Sequence, residues 1–479
     1  MPIRERPEGR STQADLLGLF AVLWALAAVW HLLGNTLTAP AWAQALLSVG
    51  VGLVLLRPGA PIPLGVLAVG GLVTVWEEAP LLGNHWLLAG FVNLIIVMAV
   101  VVGAVRRRVG DRTDLADRLF PAARLAVVIF YAFAVFAKLN SAFFDRAASC
   151  AVFYFNESTD SLGLPGMHLG GNAPLAWVVI VATVAVELSI PVLLVVRRTR
   201  PIGVMVGFVF HAVLALDRTH QFFDFSAVLF ALFVLFLPPT AGTWVAERMG
   251  SIRARLALRN EALPGRVQLL VVGVPVTVGL LVAVDVLTPR LGVEVGWWPW
   301  QLFAGVVVST AVAFLRQHRE TAPHCLRPHH LLFLIVPLLV VGNGLTPYLE
   351  LKTGYGWNMY SNLRTVDGVS NHFIVRRTLP LTHDQTEPVR ILDTNSAALA
   401  RYRANGYALT WRQLRRYLAD HPQTRITYQR GSEVVALRAA ADRPELVEPV
   451  PAWREKIQLF RAIDLQSPER CLVAFGPAR

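Results

Sequence analysis

The sequence predicts an all-α polytopic membrane bundle of about eleven spanning or re-entrant helices, followed by a small α+β extracytoplasmic domain. Three observations carry this. Of the 479 residues 54% are hydrophobic and only 16% charged, a composition of membrane spans rather than of a large soluble core. Apolar runs recur through the first 348 residues. The arginines fall in alternate loops between those runs, as the positive-inside rule requires. The expected division is a transmembrane helical domain at 1–348 and an extracytoplasmic α+β domain at 349–479.

The apolar segments lie at about 16–34, 42–56, 62–76, 86–105, 122–139, 174–196, 201–217, 222–240, 267–288, 299–315 and 329–348. Most reach the ~17–25 residues a spanning helix needs. The second and third are short and flank Pro58, Pro61 and Pro63, so they read either as two spans or as one re-entrant pair. Both readings leave the parity of the loops unchanged.

One set of loops holds 21 arginines, from Arg4 through Arg57, Arg106–Arg108, Arg197, Arg198 and Arg248 to Arg327; the other holds Arg146, Arg218 and Arg290. The first set is therefore expected in the cytoplasm of a plasma (inner) membrane, with the N-terminus inside and the C-terminus outside. The net charge of +12 is thus a topological signal, and nucleic acid is not expected as a partner; the lipid bilayer is. Residues 1–15 are polar and basic and show no cleavable signal peptide. The preference for arginine over lysine, with abundant Ala, Val and Leu, is a bacterial type of composition. Trp297, Trp298 and Trp300 read as an interfacial aromatic anchor.

After Tyr348 the pattern becomes that of a soluble domain. Short strands are expected at 371–378 and 390–393. A helix is expected near 397–404, with Asn395 as its cap and Gly406 as its stop. Thr410 and Gln413 read as a capping box opening a helix to about Asp420. Residues 426–437 read as a hairpin through Arg430–Gly431–Ser432, 452–463 as a helix and 471–475 as a closing strand. The segment WNMYSNLRTVDGVSNHFIV, 357–375, sets Trp357, Tyr360, Asn362, Arg364, Asn371 and His372 beside the membrane. It is either a cover for a cavity mouth or a turn-rich lead into the first strand.

The chemistry-bearing groups concentrate around 130–155, FYAFAVFAKLNSAFFDRAASCAVFYF. Lys138 ends an apolar helix, and a loop with Asp145, Arg146 and Cys150 follows. A lysine in hydrocarbon costs about 2.5–3.5 kcal/mol near a helix centre and less near an end. Only Lys138, Lys352 and Lys456 are lysines among the 44 basic residues. Arginine stays protonated, whereas lysine can be driven neutral by desolvation. Lys138 is therefore either a base with a removable proton or a snorkelling helix-end residue. Glu187 and His211 lie at similar depth in adjacent segments, giving either a proton-handling pair or a structural hydrogen bond. Asp217, Arg218, His220 and Asp224 crowd the turn after His211, at about the depth expected for Lys138. A carboxylate there would hold Lys138 protonated; an apolar pocket would do the opposite. Asp285 is expected near an interface.

Of the three cysteines, Cys325 falls on the cytoplasmic side, while Cys150 and Cys471 both fall outside. The latter two are either a disulfide tying the tail to the loop after Lys138 or two separate buried thiols. No metal site is expected, because no CxxC or HxxxH spacing accompanies them. The absence of a P-loop, a dinucleotide fingerprint, GxSxG and HExxH disfavours an ATPase, a nucleotide-linked dehydrogenase, a lipase and a metalloprotease.

Three stretches together resemble the HTTM group, the membrane family related to vitamin K-dependent gamma-carboxylase: the helix ending in AKLN with Lys138; the span 207–238, GFVFHAVLALDRTHQFFDFSAVLFALFVLFLP, with His211; and the segment starting at NMYSNLR. The resemblance covers about 15–375. It implies a lyase-type membrane enzyme in which Lys138 deprotonates a quinol cofactor, vitamin K or menaquinol-like. The oxidised quinol would then act on an exported peptide or protein. His211 is the weaker carry-over. The tail is much shorter than the carboxylase luminal region, and no propeptide-binding part is recognisable. Two further readings stand beside this one. One is a non-enzymatic membrane module presenting its C-terminal domain to an exported partner. The other is a proton-coupled transporter relaying through Glu187 and His211.

Overall fold

A computed structural model describes residues 7–34, 39–108, 110–171, 173–259, 289–318, 326–328, 330–449 and 451–471. The expected segment at 267–288, with Asp285, lies outside these residues, as do Cys325 and all but the first residue of the expected closing strand at 471–475.

The chain is mostly helical. The helices are α1 (Pro7–Gly34), α2 (Ala41–Leu56), α3 (Pro61–Glu78), α4 (Asn84–Val105), α5 (Arg112–Lys138), α6 (Cys150–Ser161), α7 (Pro174–Val195), α8 (Arg200–Leu214), α9 (Phe222–Val234), α10 (Thr240–Arg259), α11 (Pro289–Gln317) and α12 (Ile335–Leu345). Five of them, within α1, α4, α5, α7 and α11, contain stretches long and apolar enough to cross a membrane, while α2, α9 and the run Leu331–Leu345 are shorter apolar helices. The eleven expected segments are thus matched by helices wherever the chain is described, although only these five have spanning length.

Two helices were not expected. Residues 150–161, read as loop, form α6, whose first turn is capped by Ser149 Oγ accepting from the Ala151 N–H at 3.2 Å. The basic stretch after 240 is helical as α10. Helix α5 also begins ten residues before its apolar run. Asp111 caps it, accepting from the N–H groups of Thr113 and Asp114 at 3.1 Å each. Arg118 and Arg124, counted as loop charges, are therefore buried within α5. Arg118 pairs with Asp114 and donates to Ala99 O at 3.2 Å; Arg124 Nε donates to Leu235 O at 2.6 Å, at the end of α9.

Helices α2 and α3 form a tight hairpin. Gly59, at φ +72°, takes a left-handed turn conformation. Further up, a side chain at Gly50 would sit 2.5 Å from Leu67 Cα, and one at Gly70 would sit 2.9 Å from Leu47 Cα. The two backbones touch because neither glycine has a Cβ.

The C-terminal part carries two sheets. A hairpin pairs β1 (Thr365–Val366) with β2 (Val369–Ser370). The larger sheet has the order β6-β5-β3-β4-β7, with every recorded pairing antiparallel. Its strands are β3 (Val389–Thr394), β4 (Tyr407–Leu409), β5 (Ile426–Arg430), β6 (Glu433–Leu437) and β7 (Ile463–Asp464). Helices α13 (Ala397–Asn405) and α14 (Trp411–Asp420) cover it, with Leu399, Tyr402, Leu414 and Leu418 buried against Val389, Ile391 and Ile426. Gly406 stops α13 at φ +70°, and the Thr410–Gln413 capping box opens α14. The β5–β6 turn pairs Arg430 with Glu433 across Gly431–Ser432.

Four local expectations change. No strand spans 371–378, where only the single bridges Asn140–His372 and Val369–Arg377 form. An unexpected hairpin precedes it, turning on Asp367–Gly368, both at positive φ, as a two-residue primed turn demands. Ser396 caps α13 rather than Asn395. The helix expected over 452–463 stops at Ile457, and β7 takes its last residue, Ile463.

Replacing Gly50 with leucine should drive α3 away from α2 and destabilise the protein by about 1–3 kcal/mol or more. A lowered thermal midpoint of the purified protein, with Gly50→Ala intermediate, is the expected measurement.

Candidate functional site

Helix α5 presents Tyr131, Ala134 and Lys138 along one stripe, at i, i+3 and i+7. Side chains on a helix lean toward its N-terminus. Lys138 Nζ accordingly lies back over its own last turn, 3.4 Å from Ala134 O and 3.5 Å from Met359 O. Helix α7 begins beside the end of α5, with the Trp177 and Phe144 rings 6.3 Å apart, and descends past it. Its Glu187 leans the opposite way. Lys138 Nζ and Glu187 Oε2 meet at 2.8 Å, with side-chain exposures of 4% and 14%. Pro191, one turn below, has no N–H to give to the Glu187 carbonyl, which loosens the helix at this point.

The second polar contact joins α5 to α8, where Tyr131 Oη and His211 Nε2 are 2.5 Å apart. His211 is fully buried, and its Nδ1 has no partner among the described residues. Both pairs line one cavity of about 400 Å³. The rest of its wall is mostly apolar and aromatic, including Phe130, Phe143, Tyr154, Phe210, Phe222 and Phe225, with Ser158, Thr159 and Thr183 among the lining residues. An apolar chamber with a few converging polar groups is the ordinary form of a small-molecule site.

The expected pairings are rearranged. Glu187 does not bond His211; it is the counter-charge of Lys138. The depth estimate counted residues from helix ends and ignored both the lean of side chains and the offset between helices. Asp217 does not reach Lys138 either. It is fully buried in the turn after α8, where Oδ1 accepts from Thr219 and the His220 N–H, and Oδ2 meets His220 Nδ1 at 3.0 Å. Burial raises this carboxyl, but the His220 and Thr219 hydrogen bonds outweigh it and leave the group below its usual range. His220 packs on Tyr154 and Phe222 at 4.9 and 5.8 Å, behind the cavity wall. Asp224 turns away toward α1. Of the three tryptophans expected as an anchor, only Trp298 is exposed, at 60%; Trp297 and Trp300 are buried, and Arg218 sits 4.2 Å over the Trp297 ring. Tyr131 was not anticipated. Its signal was available, since it lies on the same helical stripe as Lys138.

The segment 357–375 closes over this end of the bundle. Trp357 is fully buried; its indole N–H donates to Val340 O at 2.7 Å and its backbone N–H to Asn84 Oδ1 at 3.1 Å. Asn140, after Lys138, donates to Ala137 O and Ser361 O at 2.8 and 2.5 Å and accepts from the Phe143 N–H at 2.8 Å. Asn362 accepts from the Cys150 N–H at 2.9 Å and donates to Ala148 O and Glu469 O. Cys150 and Cys471 are joined as a disulfide, with Cα atoms 5.0 Å apart. Met359 and Tyr360 thereby form part of the cavity wall. On their other side lies a second cavity of about 330 Å³, lined by His85, Arg364, Arg461, Asp464, Glu469 and Arg470. The two cavities share Cys150, Phe225, Met359 and Tyr360.

Within the outer cavity Arg364 pairs with Glu469 at 2.9 Å and Arg470 with Asp464 at 2.8 Å. Arg461 donates to Asn358 O at 3.2 Å and has no carboxylate partner among the described residues.

Helices of spanning length mark a membrane protein, and within its bundle a buried acid–base pair borders an aromatic-lined cavity. Compared with family models, curated proteins and solved structures, the chain matches none.

His372 joins the cover to α5, its Nε2 donating to Phe136 O at 2.8 Å while Nδ1 accepts from the N–H groups of Ile374 and Val375. That pattern requires the neutral ring, and burial holds it below its ordinary 6.5. Such a group contributes stability above pH 6.5, lost as pH falls toward the folded value. The thermal midpoint should therefore drop below pH 6.5, and His372→Asn, whose oxygen can replace Nδ1, should show a shallower drop.

Proposed function

We propose that the protein is an integral membrane enzyme of carboxylase-like type, with Lys138 as the base acting on a quinol-like lipid in the aromatic cavity. One observation carries the reading: Lys138–Glu187 and Tyr131–His211 meet at a chamber whose wall is mostly apolar and aromatic. A phenolic ring with an apolar tail suits such a wall, and its hydroxyl is an acid matched to a lysine.

A lysine paired with a carboxylate is held protonated, so the base must first be freed. Glu187 is the group that frees it. Glu187, in contact at 2.8 Å, would take the ammonium proton, leaving a neutral amine beside a neutral carboxylic acid. The amine then takes the quinol O–H proton. A quinol bound there would supply the acidic O–H, and Lys138 would hold the accepted proton as an ammonium, so that charge is conserved. The Tyr131–His211 pair lies against the same chamber, and its hydrogen bond fixes the stretch of wall that a bound quinol ring would meet. The resemblance to the carboxylase group implies that the anion goes on to react with dioxygen.

The proposed topology has about eleven spanning or re-entrant segments in a plasma membrane, N-terminus inside and C-terminus outside. The arginine distribution supports it, and so does the disulfide, which belongs in an oxidising compartment. The outer cavity would then open to the exterior. Arg461, with no acidic partner there, suits an acidic side chain of an exported peptide. The transporter reading gains no support, since His211 bonds Tyr131 rather than Glu187. The presenting-module reading is favoured less, because the tail is fastened to the bundle by a disulfide and many hydrogen bonds.

Lys138→Arg keeps the charge and removes the titratable base. In nanodiscs, menaquinol-dependent oxygen uptake should fall by roughly 10²–10⁴-fold while Glu187→Gln retains quinone binding. An arginine variant as active as the wild type would refute the base assignment.

A further inference from the structure

Four side chains from four helices meet at the end of the bundle covered by the tail, apart from the Lys138 chamber. His31 closes α1, Glu78 ends α3, His85 opens α4 and Asp224 lies in the first turn of α9. His31 Nδ1 is 2.9 Å from Asp224 Oδ2, and His85 Nε2 is 2.8 Å from the same oxygen. On its far side His31 Nε2 meets Glu78 Oε1 at 3.0 Å. The His31 ring is held flat against Trp86 at 3.5 Å. One donor atom each from His31, His85 and Asp224 lies within 4.8 Å of the others.

This is more than a hydrogen-bond cluster. Asp224 is only 6% exposed, yet both imidazoles crowd onto Oδ2 while Oδ1 has no partner among the described residues. A buried carboxylate oxygen without a partner is costly. A cation between the two imidazoles and Asp224 would satisfy the carboxylate. Two nitrogens and a carboxylate oxygen form the donor set of zinc-class ions, and an imidazole whose far nitrogen is gripped by a carboxylate is their usual outer support. Glu78 occupies that supporting position. Donor atoms around a tetrahedral zinc stand about 3.3 Å apart, so the present 2.8 and 2.9 Å contacts need open by only a few tenths of an ångström. Charge also fits. Two buried carboxylates need two positive charges, supplied either by protons on the imidazoles or by one divalent ion. Access exists as well, because the His85 side chain is 18% exposed and lines the outer cavity.

We propose that His31, His85 and Asp224 bind a divalent transition-metal ion of the zinc class, with Glu78 orienting His31. Sequence spacing hides the site, because its ligands come from distant helices rather than from one CxxC or HxxxH motif.

The test uses the full chain, chelator-treated in detergent and titrated with Co²⁺ as the optical probe. The wild type should give a saturable visible d–d spectrum at one equivalent, bleached by Zn²⁺. His85→Gln, at the rim of the cavity, should retain the wild-type melting profile and weaken binding at least tenfold. Glu78→Gln should weaken it by roughly 10–100-fold, and Asp224→Asn should abolish it. Absence of a saturable spectrum in the wild type would overturn the proposal. So would an undiminished spectrum in a folded His85→Gln protein. Neither readout depends on Lys138 or on quinol chemistry.

Discussion

A lysine buried among aromatic rings needs a counter-charge, and the architecture of the bundle follows from where that charge comes from. Lys138 and Glu187 sit on helices separated by α6 and its loops, and their 2.8 Å contact fixes α7 against α5. Removing one partner from a buried pair costs about 3–5 kcal/mol, because the other charge is left stranded. The stripe that carries Lys138 also carries Tyr131, so the same helical face sets the position of His211. Aromatic side chains from α5, α6, α8 and α9 fill the remaining wall. The result is a chamber with one ion pair and one tyrosine–histidine pair in a mostly apolar lining.

The chamber is completed from a distance. Ser361, Asn362 and His372 lie more than 200 residues from the α5 end that they contact. They are held by hydrogen bonds to Asn140, Cys150 and Phe136 and by the Cys150–Cys471 disulfide. Lys456 adds a further fastening, donating to Trp76 O at 2.7 Å at the end of α3. Cross-linking residues 321 positions apart restricts the unfolded chain strongly in the loop-entropy account. The tail is therefore structural for the site: Met359 and Tyr360 separate the aromatic chamber from the polar cavity above it. Phe225, which stands between Asp224 and the chamber, is part of the same partition.

What was legible in the sequence was what local pattern controls. Hydrophobic runs mark helices because backbone polar groups in lipid must be satisfied internally. The Thr410–Gln413 box and Gly406 were readable because capping is a matter of three or four adjacent residues. Asp367–Gly368 carried an equally local hairpin signal, and the strand expected at 371–378 overlooked it. The pairing of polar groups was not legible, because it depends on helix offsets and on the direction in which side chains lean. Lys138, Glu187 and His211 were each singled out, yet their partners were misassigned for that reason. The cluster of His31, Glu78, His85 and Asp224 gathers from 31 to 224 along the chain, and no spacing rule spans such a distance.

Under the proposed function the Lys138–Glu187 pair forms the polar end of a quinol-binding chamber. The most direct measurement is a density map of the purified protein in lipid supplied with menaquinone. The account predicts a headgroup inside the aromatic cavity, within hydrogen-bond reach of Lys138 and facing Tyr131 and His211. A map with that cavity filled by side chains, or with the quinone bound elsewhere and Lys138 turned out to the lipid, would contradict it.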